Sequence, residues 1–99
     1  MRATWSPRAI RRVVEHAQYI ALDKPGAAER WLEGAFDAAE PLGDFPLSGR
    51  VVPELEREDI REILYGAYRI IYRVFPDEKV VVLTVRHGRQ LLSRDDVED

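Results

Sequence analysis

Five residues in the C-terminal third could act together: Arg69, Arg73, Arg86, His87 and Arg89. Arginine grips a phosphate through paired N–H donors and stabilises charge that develops on a phosphoryl group. A histidine beside it can move a proton near neutral pH. The same arginines could instead be spent on ion pairs with an acidic loop and tail, and the residues alone favour that use. Other chemistries find less support. His16 and His87 are the only histidines, and no His-x-x-x-His pair or acidic ligand cluster accompanies them, so no metal site is expected. There is no cysteine, which removes thiolate nucleophiles and disulfides and suits a reducing compartment. Ser48 and Ser93 lack a Gly-x-Ser-x-Gly elbow. Ser48–Gly49–Arg50 lacks the glycine spacing and lysine of a phosphate-binding loop. Glu54, Glu56 and Glu58 could do acid–base work, but an acidic loop is more often a solvated one. No cofactor is expected.

Strands must carry the five residues. Tyr68–Phe75 alternates, with Tyr68, Ile70, Tyr72 and Val74 on one face and Arg69, Ile71 and Arg73 on the other. Lys79–His87 is dense in valine and apolar on both faces, which predicts a central strand ending at Gly88. Ile60–Tyr65 is a shorter strand joined to the first by a tight turn at Gly66–Ala67. Ahead of them, Ser6–Pro7 predicts an N-cap and first helical residue. Ile10, Val13, Val14, Ala17 and Ala21 then recur at helical spacing until Pro25 and Gly26. A second helix is expected from Pro25 to Glu40, with Ala28, Trp31, Leu32, Ala35, Phe36 and Ala39 on its apolar side. So short a link between helices predicts an antiparallel hairpin. Residues 2–5 can start a short strand, and residues 41–59 make a long, charged connection in which a helical turn could hide near Pro53–Arg57.

The expected class is therefore α+β, in the order β-α-α-β-β-β, an antiparallel sheet packed against an N-terminal helical hairpin. One domain spans residues 1–99, with residues 95–99 an acidic tail expected to fray. The sheet face opposite the hairpin, bearing Arg69, Arg73 and either Arg61 or Arg86, is expected to stay partly open. Net charge is −3, from 15 basic and 18 acidic residues, which argues against a general nucleic-acid binder. Thirteen of the basic residues are arginine, the type suited to bidentate contacts, although a GC-rich genome explains the bias equally well. The longest apolar run, Val80–Leu83, is far short of the about 20 residues of a membrane span, and residues 1–5 hold no signal-peptide segment. A cytoplasmic location follows as the expectation.

In order and spacing the chain resembles the RelE/ParE superfamily of toxins from bacterial type II toxin–antitoxin systems. The resemblance rests on Trp5–Ser6–Pro7–Arg8–Ala9, Tyr19–Ile20–Ala21, Pro46 with Gly49–Arg50, and Val52–Pro53–Glu54. It continues through Ile60–Arg61–Glu62, Tyr68–Val74, Val82–Val85 and His87–Gly88–Arg89. It implies a toxin neutralised by a cognate antitoxin, with DNA contacted only through that antitoxin. ParE-like members inhibit DNA gyrase without a nuclease site. RelE-like members enter the ribosome and cleave mRNA. The Tyr-Arg-Ile-Ile-Tyr and His-Gly-Arg segments are closer to the ParE style. No lysine lies between Lys24 and Lys79, and the last tyrosine is Tyr72, so a RelE-type nuclease set is only partial: Arg69, Arg86 and His87, with Glu54 as partner. The gyrase type is preferred, with no catalytic residues of its own. Antitoxin contacts are expected at Trp31, Arg61, Arg69 and Arg73, and target contacts at Arg86, His87 and Arg89. A degenerate module that binds antitoxin without toxicity is the remaining alternative.

Overall fold

The computed structural model describes residues 2–98. Its elements are β1 (Ala3–Trp5), α1 (Pro7–Ala21), α2 (Pro25–Ala39), β2 (Arg50–Val51), β3 (Ile60–Tyr65), β4 (Tyr68–Val74) and β5 (Val80–His87). The five strands form one sheet in the order β1-β5-β4-β3-β2. β3, β4 and β5 make the expected antiparallel meander, and β1 adds in parallel to the outer side of β5.

Local chemistry sets these boundaries. The Ser6 side chain accepts the Ala9 N–H at 3.1 Å, and Pro7 supplies the first helical φ of α1. Pro25 starts α2 in the same way. The helices pack as a hairpin on one face of the sheet, where Ala9, Val13, Ala35, Ala39 and Leu42 meet Ile70, Tyr72, Val80, Val82 and Val85. The line α1 buries is Ala9, Val13 and Ala17. Ile10 and Val14, expected in the core, stay exposed. Alanines let the helix approach the sheet closely, and this turns the two larger residues about 100° away from it.

The long connection hides short elements. Glu40–Gly43 is a 3-10 turn, Arg50–Val51 is β2, and a hydrogen-bonded turn at 53–55 stands where one was expected. Tyr72 pins this connection. Its hydroxyl donates to the Pro46 carbonyl at 2.7 Å and accepts the Gly49 N–H at 2.9 Å. A Cβ on Gly49 would lie 2.5 Å from that hydroxyl oxygen and 2.6 Å from the Glu62 carbonyl, so only glycine fits.

The second face of the sheet departs from expectation. Instead of standing partly open, it is covered by residues 52–59 and by residues 90–97. A second apolar cluster sits there: Val52, Ile60, Ile71 and Leu92, with Leu55, Leu83 and Val97 against it. One extra residue in β5 opposite the Ile71–Tyr72 step makes a bulge, which lets Leu83 and Thr84 both serve this face. The acidic tail is correspondingly docked as far as Glu98. Arg94–Asp96 form a 3-10 turn capped by Ser93, and Asp96 binds Arg86. The reason is physical: Leu92 and Val97 gain burial, and Asp96 meets a cation. Asp99 lies outside the described residues.

Candidate functional site: the arginine face

Alternation along β4 puts Arg69 and Arg73 on the second face, and pairing with β5 puts Arg86 directly opposite Arg69. Arg69 is only 5 % exposed. Its Nε donates to Glu62 Oε1 at 2.7 Å, and its two terminal nitrogens donate to Glu54 at 2.7 and 2.8 Å. Glu62, itself 1 % exposed, also accepts Arg50 Nε at 2.6 Å. Two arginines and two glutamates thus form one neutral network that ties β2, β3, β4 and the 52–55 turn. The network reaches the C-terminal segment as well, because Glu54 accepts the Leu92 N–H at 2.9 Å. Hydrogen bonds from Arg69 hold the Glu54 carboxyl down at a pKa of about 2, against the pull of burial. The same glutamate raises Arg69 above its ordinary value.

The other arginines of this face also have carboxylates beside them, although the Nε of Arg73 and of Arg86 is buried without a hydrogen bond. Arg86 donates to Asp96 Oδ1 and to the Leu91 carbonyl, each at 3.0 Å. At the far end of β4, Arg73 stacks over the Phe75 ring at 4.4 Å and lies 3.2 Å from Asp59. Arg57 binds Asp59 with two aligned hydrogen bonds, which lower the Asp59 pKa. Ion pairing, the use the residues alone favoured, is what the fold makes of Arg69, Arg73 and Arg86. A pocket of about 560 Å³ lies beside the network, bounded by Arg50, Pro53, Leu64, Tyr68 and Leu91. Leu64 and Leu91 are largely exposed on its walls.

The residues singled out in the sequence are not brought to one place. Arg73 is at the opposite end of β4 from Arg69's neighbours His87 and Arg89. His87 pairs with Tyr68, and its ring meets Tyr68 on the helix side of the sheet at 5.4 Å. Glu54 is on the other side, so the two do not form an acid–base pair. The His87 Nδ1 accepts the Arg89 N–H at 3.4 Å. Tyr68 packs between His16 at 4.9 Å and Trp31 at 4.8 Å, and Trp31 packs on Tyr65. Arg61 also falls on the helix side, opposite Tyr72, and donates to the Gly49 and Glu58 carbonyls. Trp31 and Arg61 therefore share one side of the sheet, while Arg69 and Arg73 share the other. No helix among the described residues is long and apolar enough to cross a membrane, and no group of three metal-ligating side chains occurs among them.

Sequence reading missed Glu62, Arg50, Asp59 and Asp96 as members of the site. Glu62 left a trace. It shares a face with Ile60, so a carboxylate stands where strand alternation calls for an apolar residue, and a buried carboxylate requires a cation. Its partners, seven and twelve residues away, could not be chosen without the sheet register.

A helical hairpin thus covers one face of a five-stranded mixed sheet, with an arginine face behind it. Residues 3–92 match the family described as the ParE toxin of the type II toxin–antitoxin system parDE, and the chain belongs to that family. Y4kP, a protein of Sinorhizobium fredii named as a toxin, is 37% identical over 91 residues, covering 90% of each chain. Among solved structures, a chain of the chromosomal ParDE system of Pseudomonas aeruginosa superimposes with a TM-score of 0.74 at 16% identity, over 88% of this chain and 95% of that one. A chain of the RelBE2 toxin–antitoxin complex of Mycobacterium tuberculosis gives 0.61 at 25% identity, over 87% and 95%. The expected α+β architecture and superfamily are those observed. This protein is a toxin of the ParE/RelE superfamily of type II toxin–antitoxin systems.

Proposed function

We propose that this toxin acts by binding a protein target, with DNA gyrase as that target, and carries no nuclease centre of its own. The observation that supports this most strongly is that Arg69, Arg73 and Arg86 each have a carboxylate at hand within the fold. A ribosome-dependent nuclease needs unspent cations to stabilise a pentacovalent phosphate and a base to activate a ribose hydroxyl. Here Glu54 is a hydrogen-bonded carboxylate with a pKa of about 2, too weak a base for that work at neutral pH. A gyrase-binding role places the protein in the cytoplasm. Target contacts are assigned to His87 and Arg89 at the end of β5, with Arg86 behind them.

A cognate antitoxin is the second partner in this reading. β2 pairs only with Arg61 and Glu62, so the outer edge of β3 from Ile63 to Tyr65 is open. An antitoxin segment crossing that edge would meet Trp31, which packs on Tyr65, whereas the other expected contacts Arg61 and Arg73 lie at the opposite, Ile60 end of β3. Arg69 would serve as the scaffold beneath.

Purified toxin should inhibit gyrase supercoiling and leave ribosome-bound mRNA intact, and Arg89→Ala should weaken the inhibition. Cleavage at the A-site codon that disappears in Arg86→Ala or His87→Ala would overturn this reading in favour of the nuclease. Growth that continues normally on induced expression would favour a degenerate, antitoxin-binding module.

A further inference from the structure

The connection between α2 and β2 ends in a rigid apolar turn. Phe45 and Leu47 stand 65% and 66% exposed on it, with Pro46 between them. The Ser48 N–H and hydroxyl both donate to the Phe45 carbonyl, at 3.1 and 2.8 Å. The Tyr72 hydroxyl holds the Pro46 carbonyl and the Gly49 N–H from below. Two large apolar side chains are thus kept in water by a turn that is fixed in place. They wall a cavity of about 400 Å³ together with Val74 and Glu78, at the opposite end of β4 from His87. Exposed aromatic and aliphatic side chains around such a cavity are typical anchors of a protein interface.

Charge at this socket narrows its occupant. Glu54, Glu62, Asp59 and Asp96 are each taken by an arginine. Among the described residues the Glu78 carboxylate has neither an ion pair nor a hydrogen bond. Glu78 also has a φ of 66°, a left-handed conformation that glycine adopts at lower cost. Its N–H closes the β4–β5 turn on the Phe75 carbonyl at 2.8 Å, a task that needs no carboxylate. Backbone strain is therefore accepted at a position that sets a free carboxylate on the rim of an apolar cavity. Asp44, Asp77 and Glu78 outnumber Lys79 on the two turns that meet here, so phosphate is repelled and a nucleic acid does not fit. We propose that the Phe45–Ser48 turn and Glu78 form a docking socket for the toxin's target, seating an apolar side chain flanked by lysine or arginine. A DNA-handling enzyme presents such surfaces, because it must hold phosphates with cations. The inference rests on the gyrase reading above and adds a second contact to that at His87 and Arg89.

The test uses the full-length chain, purified gyrase holoenzyme and the purified product of the gene adjacent to the toxin's own. The substituted residues are exposed, and Glu78→Gly also relieves the left-handed backbone, so its thermal midpoint should stay level or rise. In calorimetric titrations Glu78→Gly should bind gyrase about fivefold more weakly, and Leu47→Ser about tenfold. Glu78→Lys should bind more weakly than Glu78→Gly, and added salt should narrow the gap between these two. Inhibition of supercoiling should fall in step, while antitoxin affinity stays at the parent's value in all three. Parental gyrase affinity in Glu78→Lys and Leu47→Ser overturns the socket and leaves the gyrase reading intact. Antitoxin affinity lost in the same variants gives the socket to the antitoxin and overturns the proposal. No gyrase binding by the unmodified chain removes the gyrase reading itself, and the socket's occupant with it.

Discussion

The two faces of the sheet are held by different forces. On the helix side, apolar burial does the work: Ile70, Tyr72, Val82 and Val85 are sealed by alanine-rich helices. Such burial is worth about 25 cal/mol per Å² and tolerates modest changes of shape. On the other side a thin apolar cluster is interleaved with charge, and Glu62 and Arg69 are buried as ions. There each partner is required because the other is present: a buried pair adds little net stability, but removing one member strands the other. The helix side is thus robust, while the arginine face is specified by a few irreplaceable contacts.

The largest expected effect tests that claim directly. Arg69→Ala should destabilise the protein by about 3–5 kcal/mol, since it leaves Glu62 buried with only Arg50 and frees Glu54. Arg89→Ala, at an exposed turn, should change stability by less than about 0.5 kcal/mol. Urea unfolding of the two variants checks both. Arg69→Ala unfolding at the same midpoint as the parent would break the comparison.

A smaller effect is expected on the helix side, where the Tyr72 hydroxyl is one of the polar contacts within the apolar packing. Tyr72→Phe removes the acceptor of the buried Gly49 N–H and the donor to Pro46. The expected cost is about 1–3 kcal/mol, that of leaving a buried group unpaired. A cost near zero in thermal unfolding would show that water replaces the hydroxyl, and that the 41–49 connection is pinned by something else.

The same contrast explains what could be read in advance. Helix side and the antiparallel meander follow from local rules: Ser6–Pro7 starts α1, alternation sorts Tyr68 to Val74 between faces, and the valines of β5 mark a strand covered on both faces, which proves to be interior, between β1 and β4. These signals are short-range and redundant. The arginine face is long-range. Arg69 and Arg86 could be seen to face one way, but not that Glu62, Glu54 and Asp96 wait for them, because pairing depends on register and on where two irregular segments fold back. For the same reason the C-terminal acids looked solvated. Four acids in five residues suggest repulsion until Arg86 and Arg8 are placed beside them. Trp31, Arg61, Arg69 and Arg73 are expected together as antitoxin contacts on the strength of the family resemblance, and alternation separates them, since Arg61 and Arg69 have opposite parity across the β3–β4 pairing.

The smallest expected effect sharpens the comparison through pH. Glu54 has its folded pKa lowered to about 2 from an ordinary 4.5 by hydrogen bonds from Arg69. A lowered pKa means that the folded state favours the ionised form. The resulting stability is fully present above pH 4.5 and is lost as pH falls from there through about 2. Because the Glu54 side chain remains in part solvent-accessible, screening reduces the gain to about 1 kcal/mol. The decisive measurement is the stability difference between the parent and Glu54→Gln, followed by urea unfolding at several pH values. Taking the difference removes the titration of the other carboxylates. The gap should be constant from neutral pH to about 5 and should close as the parent's Glu54 is protonated. Tyr72→Phe should show a gap that does not change over that range, because no carboxylate touches its hydroxyl. A Glu54→Gln gap that is equally flat would mean that Glu54 contributes shape and hydrogen bonding to the arginine face and no charge.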